Sequence, residues 1–300
     1  MTTAAPGTTP FAVAGVPFVH SADAGLSLPR WITPSWTGSR VTDDPILVHH
    51  AVGETAPTDL FPLLDDAPPY GEYYVDSDQQ LAIRSRGMGL SGDLPQLLRT
   101  RRGGFEYVVH YSREDDTLRL QWGWHRTIFM FALPARRRGV VAHAAGFVLP
   151  GGGGVLCPGV SGDGKSTLAR TMLAEPGHRA TVLSDDRVAV TNEHDGPRLW
   201  GTPWHSSAET ASPLDAPFEA IVFMGRGRGA ELARLPKRIA LRRLLRTVAI
   251  PFWDSDATAF ALATVDRIIS DVPAFEFNYD PTPTAAEALV DGLIAALQAV

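Results

Sequence analysis

The sequence predicts an α/β fold preceded by a smaller, mainly β region, and three observations carry that expectation. First, Gly154-Val155-Leu156-Cys157 is a short apolar run that leads into the glycine-rich stretch Gly159 to Thr167. Ser166 to Ala174 follows with good helix formers and no breaker before Pro176, so the order reads strand, loop, helix. Second, Ala180-Thr181-Val182-Leu183-Ser184-Asp185-Asp186 is another short apolar strand, and the interval from Lys165 leaves room for one helix and one turn. Third, everything from Phe11 to about Trp122 is short-period and rich in turns.

The upstream region is taken first. Ile46–Val52, Tyr73–Val75, Leu81–Ile83 and Tyr107–Tyr111 are enriched in β-branched and aromatic residues and read as strands. Clusters such as Asp65-Asp66-Ala67-Pro68-Pro69 punctuate them. Ser112 to Thr117 reads as a hairpin loop, with Leu118, Leu120 and Trp122 alternating on the returning strand. A helix is expected over Asp93–Arg101, capped by Asp93 with Pro95 in its first turn. His49 and His50 are adjacent on a strand and face opposite ways, so no metal site is expected of them. The basic trio Arg136-Arg137-Arg138 reads as a solvated turn.

Composition narrows the function classes. A chain of 300 residues with 44% hydrophobic content can build one large or two modest domains. The expected division is a disordered tail over 1–10, a mainly β N-terminal domain over 11–135 and an α/β domain over 136–300. A net charge of −6 argues against bulk nucleic-acid binding. No apolar run is long enough to span a bilayer, so no membrane partner is expected. Met1 to Pro10 lacks the basic and apolar regions of a signal peptide, and the single cysteine, Cys157, fits a reducing compartment. A cytoplasmic location is the expectation. A homo-oligomer is compatible with the sequence.

The chemistry concentrates in Gly159-Val160-Ser161-Gly162-Asp163-Gly164-Lys165-Ser166-Thr167, which fits G-x-x-x-x-G-K-[ST]. Glycines let the backbone curl so that successive N–H groups point inward as an anion nest, and the next helix adds its positive end. Lys165 would reach the β- and γ-phosphates of ATP, and the Ser166 hydroxyl would hold Mg²⁺. Of the 27 Lys and Arg residues only Lys165 and Lys237 are lysine, so a compact ammonium is kept where a point charge must meet phosphate. The carboxylates Asp185 and Asp186 end a strand downstream, where acidic residues serve Mg²⁺ or activate an attacking group.

Pro150-Gly151-Gly152-Gly153-Gly154 makes a tight turn into the loop's strand, so the preceding segment Gly139–Leu149, read as a helix-to-strand passage, should bring His143 towards the loop. Arg226 to Arg246 is the densest basic run, with Leu241, Leu244, Leu245 and Val248 at helical spacing and arginines on another face, a solvated amphipathic helix. Helices are expected at Asp256–Ile269 and Thr284–Gln298, the latter opened by a Thr284/Glu287 capping box. Ala274–Tyr279 alternates like an edge or closing strand.

Taken in order, a histidine, a Gly-rich turn, the loop and Leu183-Ser184-Asp185-Asp186 resemble the catalytic domain of HPr kinase/phosphorylase and its relatives, including lasso-peptide precursor kinases. Arg138–Ala145, Gly201-Thr202-Pro203-Trp204, Ala216–Met224 and Val272–Phe277 look like further elements of that group. The resemblance covers roughly 136–300. It implies a P-loop, phosphoenolpyruvate-carboxykinase-like mixed-sheet domain, ATP and Mg²⁺, and phosphoryl transfer to a hydroxyl. Carried over, Asp185 is the candidate general base, Asp186 the Mg²⁺ partner, and His143 orients the transferring group; the order within the Asp pair stays open. The acceptor is a peptide Ser or a small hydroxylated metabolite. No glycine-rich signature follows the Asp pair, so phosphorolysis is not expected, and HPr itself is not assigned as substrate. The competing expectation is an ATPase acting as a switch. A GTPase would carry Asn-Lys-x-Asp and an ABC-type ATPase a Ser-Gly-Gly signature after the loop; both are absent.

Overall fold

The computed structural model describes residues 11–22, 36, 44–52, 60–63, 72–77, 80–84, 97–102, 104–111, 116–174, 180–225, 230–279 and 282–299. The expected tail over 1–10, the start of the expected helix at Asp93–Gln96, and Arg226 and Arg228 lie outside them. The chain divides into two units, Met1–Arg136 and Arg137–Val300. The described residues form a mixed α/β structure with two mixed sheets and five helices.

In the first unit, β1 (Phe11–Val13), β2 (Val16–Ala22), β3 (Ile46–Val52), β4 (Phe61–Pro62), β5 (Glu72–Val75), β6 (Leu81–Arg84), β7 (Leu97–Arg102) and β8 (Glu106–Tyr111) make one sheet. Its order is β1-β2-β3-β8-β7-β6-β5-β4. β3 runs parallel to both β2 and β8. The other pairs are antiparallel.

Three expectations fail here. Leu97–Arg101 is strand, not helix, because Leu97 to Arg102 pairs with both β6 and β8 and tertiary pairing overrides local propensity. The expected hairpin return is a helix, α1 (Asp116–Ala135). Leu118, Leu120 and Trp122 suggested a period of two, but Trp124, His125, Ile128, Phe129, Ala132 and Leu133 are all buried at helical spacing, and the longer pattern wins. Arg136 is not solvated either. Its guanidinium lies 4.5 Å from the Phe105 ring centre and donates to the backbone oxygens of Asp44, Pro45 and Gly104.

The second unit comprises β9 (Gly139–Val148), β10 (Gly154–Pro158), α2 (Lys165–Ala174), β11 (Thr181–Ser184), β12 (Arg187–Glu193), β13 (Gly196–Gly201), β14 (Asp215–Gly225), β15 (Ala230–Arg234), α3 (Lys237–Leu245), α4 (Ser255–Asp271), β16 (Ala274–Tyr279) and α5 (Pro283–Gln298). The sheet order is β10-β9-β12-β13-β14-β16-β15, with β11 also on β9 and β10 also parallel to β14. β9 is strand from Gly139 onward, with no helical entry, since its β-branched Val140 and Val141 and its pairing with β12 extend the ladder to that end. Its first half pairs with β12; its second half pairs with β10 on one side and β11 on the other.

Each face of this sheet has its own apolar core. One gathers Val140, Leu156, Val188, Ile221 and Phe223 with Ala240 and Leu244 of α3 and Ala261, Val265 and Ile268 of α4. The other gathers Phe147, Val155, Cys157, Val222 and Phe277 with Leu168 and Met172 of α2 and Leu289 and Leu293 of α5. Leu289 is fully buried, so Leu289→Ala should destabilise this unit by about 2–5 kcal/mol, read as a shifted denaturant midpoint with unchanged slope.

α5 begins earlier than its capping-box pattern implied. Thr282 is the cap, its hydroxyl accepting from the Ala285 N–H at 3.2 Å, and Pro283 takes the first helical position, where a missing N–H costs nothing. β16 is interior rather than an edge, flanked by β14 and β15. Along α3 and its end, Arg238, Arg242 and Arg246 are exposed, as a solvated face requires. Arg243 instead packs over Phe223 and bonds Glu276 at 2.5 Å. No helix among the described residues is long and apolar enough to cross a membrane.

Candidate functional site

The site is built around β9. Its Ala144 pairs with Pro158, the last residue of β10, so the glycine-rich loop starts beside His143. The Gly159 N–H donates to the His143 carbonyl at 3.1 Å. On the opposite edge β11 ends at Ser184, paired with Gly146, and β12 starts at Arg187, paired with His143. Asp185 and Asp186 fill the step between them, and the Ala144 N–H donates to the Asp186 carbonyl at 3.1 Å. One strand therefore has the loop on one side and the Asp pair on the other, about 5 Å per strand spacing away.

The loop connects β10 to α2 as a strand–loop–helix unit. Gly162 and Gly164 have φ of 91° and 89°, which favours glycine at both positions. Asp163 braces the turn: its Oδ2 accepts from the Val160 N–H at 2.7 Å and lies against Gly159, where a Cβ would come within 2.9 Å of it. Ser161 and Gly162 are exposed, and no partner for the Ser161, Gly162 or Gly164 N–H occurs among the described residues. Backbone donors left open in a glycine-rich turn are what anion binding requires.

Lys165 opens α2 and is buried, its Nζ donating to the Val160 carbonyl at 2.9 Å across the loop. Burial pulls its ammonium below the ordinary lysine value, while the charges of Asp163, Asp186 and Asp185 oppose that pull. Ser166 and Thr167 follow in the first turn, half-buried at the same helix end.

The two aspartates have different surroundings. Asp185 is fully buried, and its two oxygens accept from the backbone N–H groups of Ser206 and Ala208, each at 2.9 Å. It acts as the anchor of the turn after Trp204. Asp186 faces the other way: its Oδ1 meets the Arg187 Nη1 at 2.7 Å and the His143 Nε2 at 3.3 Å. Burial lowers the His143 pKa, and the contact with Asp186 works against that shift.

All the predicted site residues thus belong to one end of this sheet, but Asp185 points into the protein. Sequence reasoning assigned no role to Arg187, the first residue of β12. It is buried, donates to both the carbonyl and the carboxylate of Asp186, and its own carbonyl accepts from the Thr202 hydroxyl at 2.7 Å. An arginine directly after two aspartates was the available signal. Nor did the sequence point to Thr247, whose carbonyl takes the His143 N–H at 2.8 Å and fixes that end of β9.

Cys157, one residue before the end of β10, is wholly buried, and burial pushes its thiol pKa up. In the native protein it should stay unlabelled by an aromatic disulfide reagent and react fully in denaturant. Rapid native labelling would contradict its purely packing role.

No protein-family model matches this sequence, and no curated protein matches it either.

Proposed function

We propose that this protein is an ATP-dependent kinase that transfers the γ-phosphoryl group to a hydroxyl acceptor, with a second unit of the HPr-kinase-like, phosphoenolpyruvate-carboxykinase-like P-loop type. The observation that carries the reading is the convergence on β9 of a phosphate-type loop, Lys165, His143 and Asp186. The loop N–H groups and Lys165 would hold the β- and γ-phosphates in place of the Val160 carbonyl that Lys165 now meets. Ser166 suits Mg²⁺, its hydroxyl being an oxygen donor of the hard type the ion takes; bound there, it would neutralise charge on phosphate oxygens.

Asp186, rather than Asp185, takes the proton of the acceptor hydroxyl. A carboxylate with no accessible surface and both oxygens bonded to amides cannot meet a substrate, whereas Asp186 is turned towards His143. Arg187 holds Asp186 in that orientation. His143, its Nε2 3.3 Å from Asp186 Oδ1, would contact the transferring group.

The test is incubation with γ-labelled ATP, Mg²⁺ and peptides encoded by neighbouring genes, in parallel with a pool of hydroxylated metabolites. Label on a Ser side chain or on a small-molecule hydroxyl supports the kinase. Labelled inorganic phosphate alone, with every acceptor unmodified, would replace it with the switch-type ATPase.

A further inference from the structure

A second chemically equipped cluster lies in the first unit, remote in sequence from the glycine-rich loop. β2 and β3 are parallel with His20 opposite Val48 and Ala22 opposite His50, so His20 and His50 share one sheet face. His49 projects to the other face, where its Nδ1 meets the Ser21 hydroxyl at 2.9 Å. Neighbours on a strand indeed do not converge. His50 finds its companions elsewhere, because α1 lays His125 against the same face.

The three rings close on one point. His20 Nδ1 lies 3.1 Å from His50 Nε2 and 3.5 Å from His125 Nε2, and each of the three residues offers a ring nitrogen within 4.8 Å of those of the other two. A tetrahedral ion with metal–nitrogen bonds of about 2.0–2.1 Å would hold its ligand nitrogens about 3.3 Å apart. All three residues are buried, at 4%, 0% and 2% exposure. Phe11 and Phe18, stacked with each other and with His20, form an apolar wall that also meets the edge of His125. Among the described residues, no acidic or cysteine side chain belongs to the group.

A purely structural histidine cluster fits these contacts less well. The His20 ring turns its Nδ1 into the cluster although this leaves its Nε2 buried without a hydrogen-bond partner among the described residues. Packing alone would be served by apolar side chains of similar volume, without the cost of burying imidazoles.

We infer that His20, His50 and His125 form a three-histidine site for a divalent transition metal of the Zn²⁺ class, separate from the Mg²⁺ of the nucleotide site. All-imidazole ligation suits Zn²⁺ over Mg²⁺, which takes oxygen donors, and three protein ligands leave a fourth position for water or another donor. The site ties β2, β3 and α1 together, so metal binding stabilises this unit.

The full chain is stripped with chelator and titrated with Zn²⁺, and separately with Co²⁺, in excess Mg²⁺ without nucleotide. One equivalent per chain, a raised melting temperature, and the intense visible absorption of four-coordinate Co²⁺ are expected. His50→Gln and His125→Gln should each weaken uptake at least about 100-fold while circular dichroism stays native. The site is refuted if the stripped wild-type chain takes up neither ion, or if folded variants bind as the parent does. Should both variants unfold, the wild-type Co²⁺ spectrum decides: weak six-coordinate bands would refute the site and intense four-coordinate bands support it.

Discussion

Asp186→Asn is expected to cut phosphoryl transfer by about 10²–10⁴-fold, the usual contribution of one positioned base. The amide keeps an oxygen to accept from Arg187, so the fold is disturbed less than the chemistry. Asp185→Asn should give the opposite pattern. Both its oxygens accept backbone N–H bonds in a fully buried place, so an amide NH₂ there faces a donor. Each hydrogen bond to a charged group is worth about 1.5–3 kcal/mol, so the melting temperature should fall by several degrees. Residual turnover, measured below the new midpoint, should exceed that of Asp186→Asn. If Asp185→Asn abolished turnover without a stability loss while Asp186→Asn stayed active, the base would be Asp185 after all.

Lys165→Ala carries the second large effect. Removing one charged donor aimed at a developing phosphate charge should lower turnover by about 10²–10³-fold. Lys165→Arg should not restore it, because a planar fork cannot replace a compact ammonium where Lys165 is packed against the loop at Val160. Normal turnover in Lys165→Ala would remove the loop from the active site.

Much of the second unit was legible because its signals are local. The run Gly154 to Ala174 fixes strand, loop and helix by glycine placement and a helical stripe, and Pro150–Gly154 announces the hairpin that sets His143 beside the loop. What stayed hidden depends on contacts between distant segments. That Asp185 faces inward is decided by the amides of Ser206 and Ala208, which no spacing around residue 185 reveals. The helix expected over Leu97–Arg101 became β7 because β6 and β8 offer it partners on both edges. The histidine cluster is the extreme case. His20, His50 and His125 sit on two strands and a helix, and the last was hidden by a misread period between Leu118 and Trp122.

A calorimetric titration of the wild-type chain with ATP, ADP and AMP in the presence of Mg²⁺ probes the loop at its root. On the proposed reading the loop from Gly159 to Thr167 grips the β-phosphate, so ATP and ADP should bind one per chain, and AMP at least about tenfold more weakly, which is about 1.4 kcal/mol. Equal affinity for the three nucleotides, or no binding by any, would contradict the assignment of this loop as a phosphate site and with it the kinase reading.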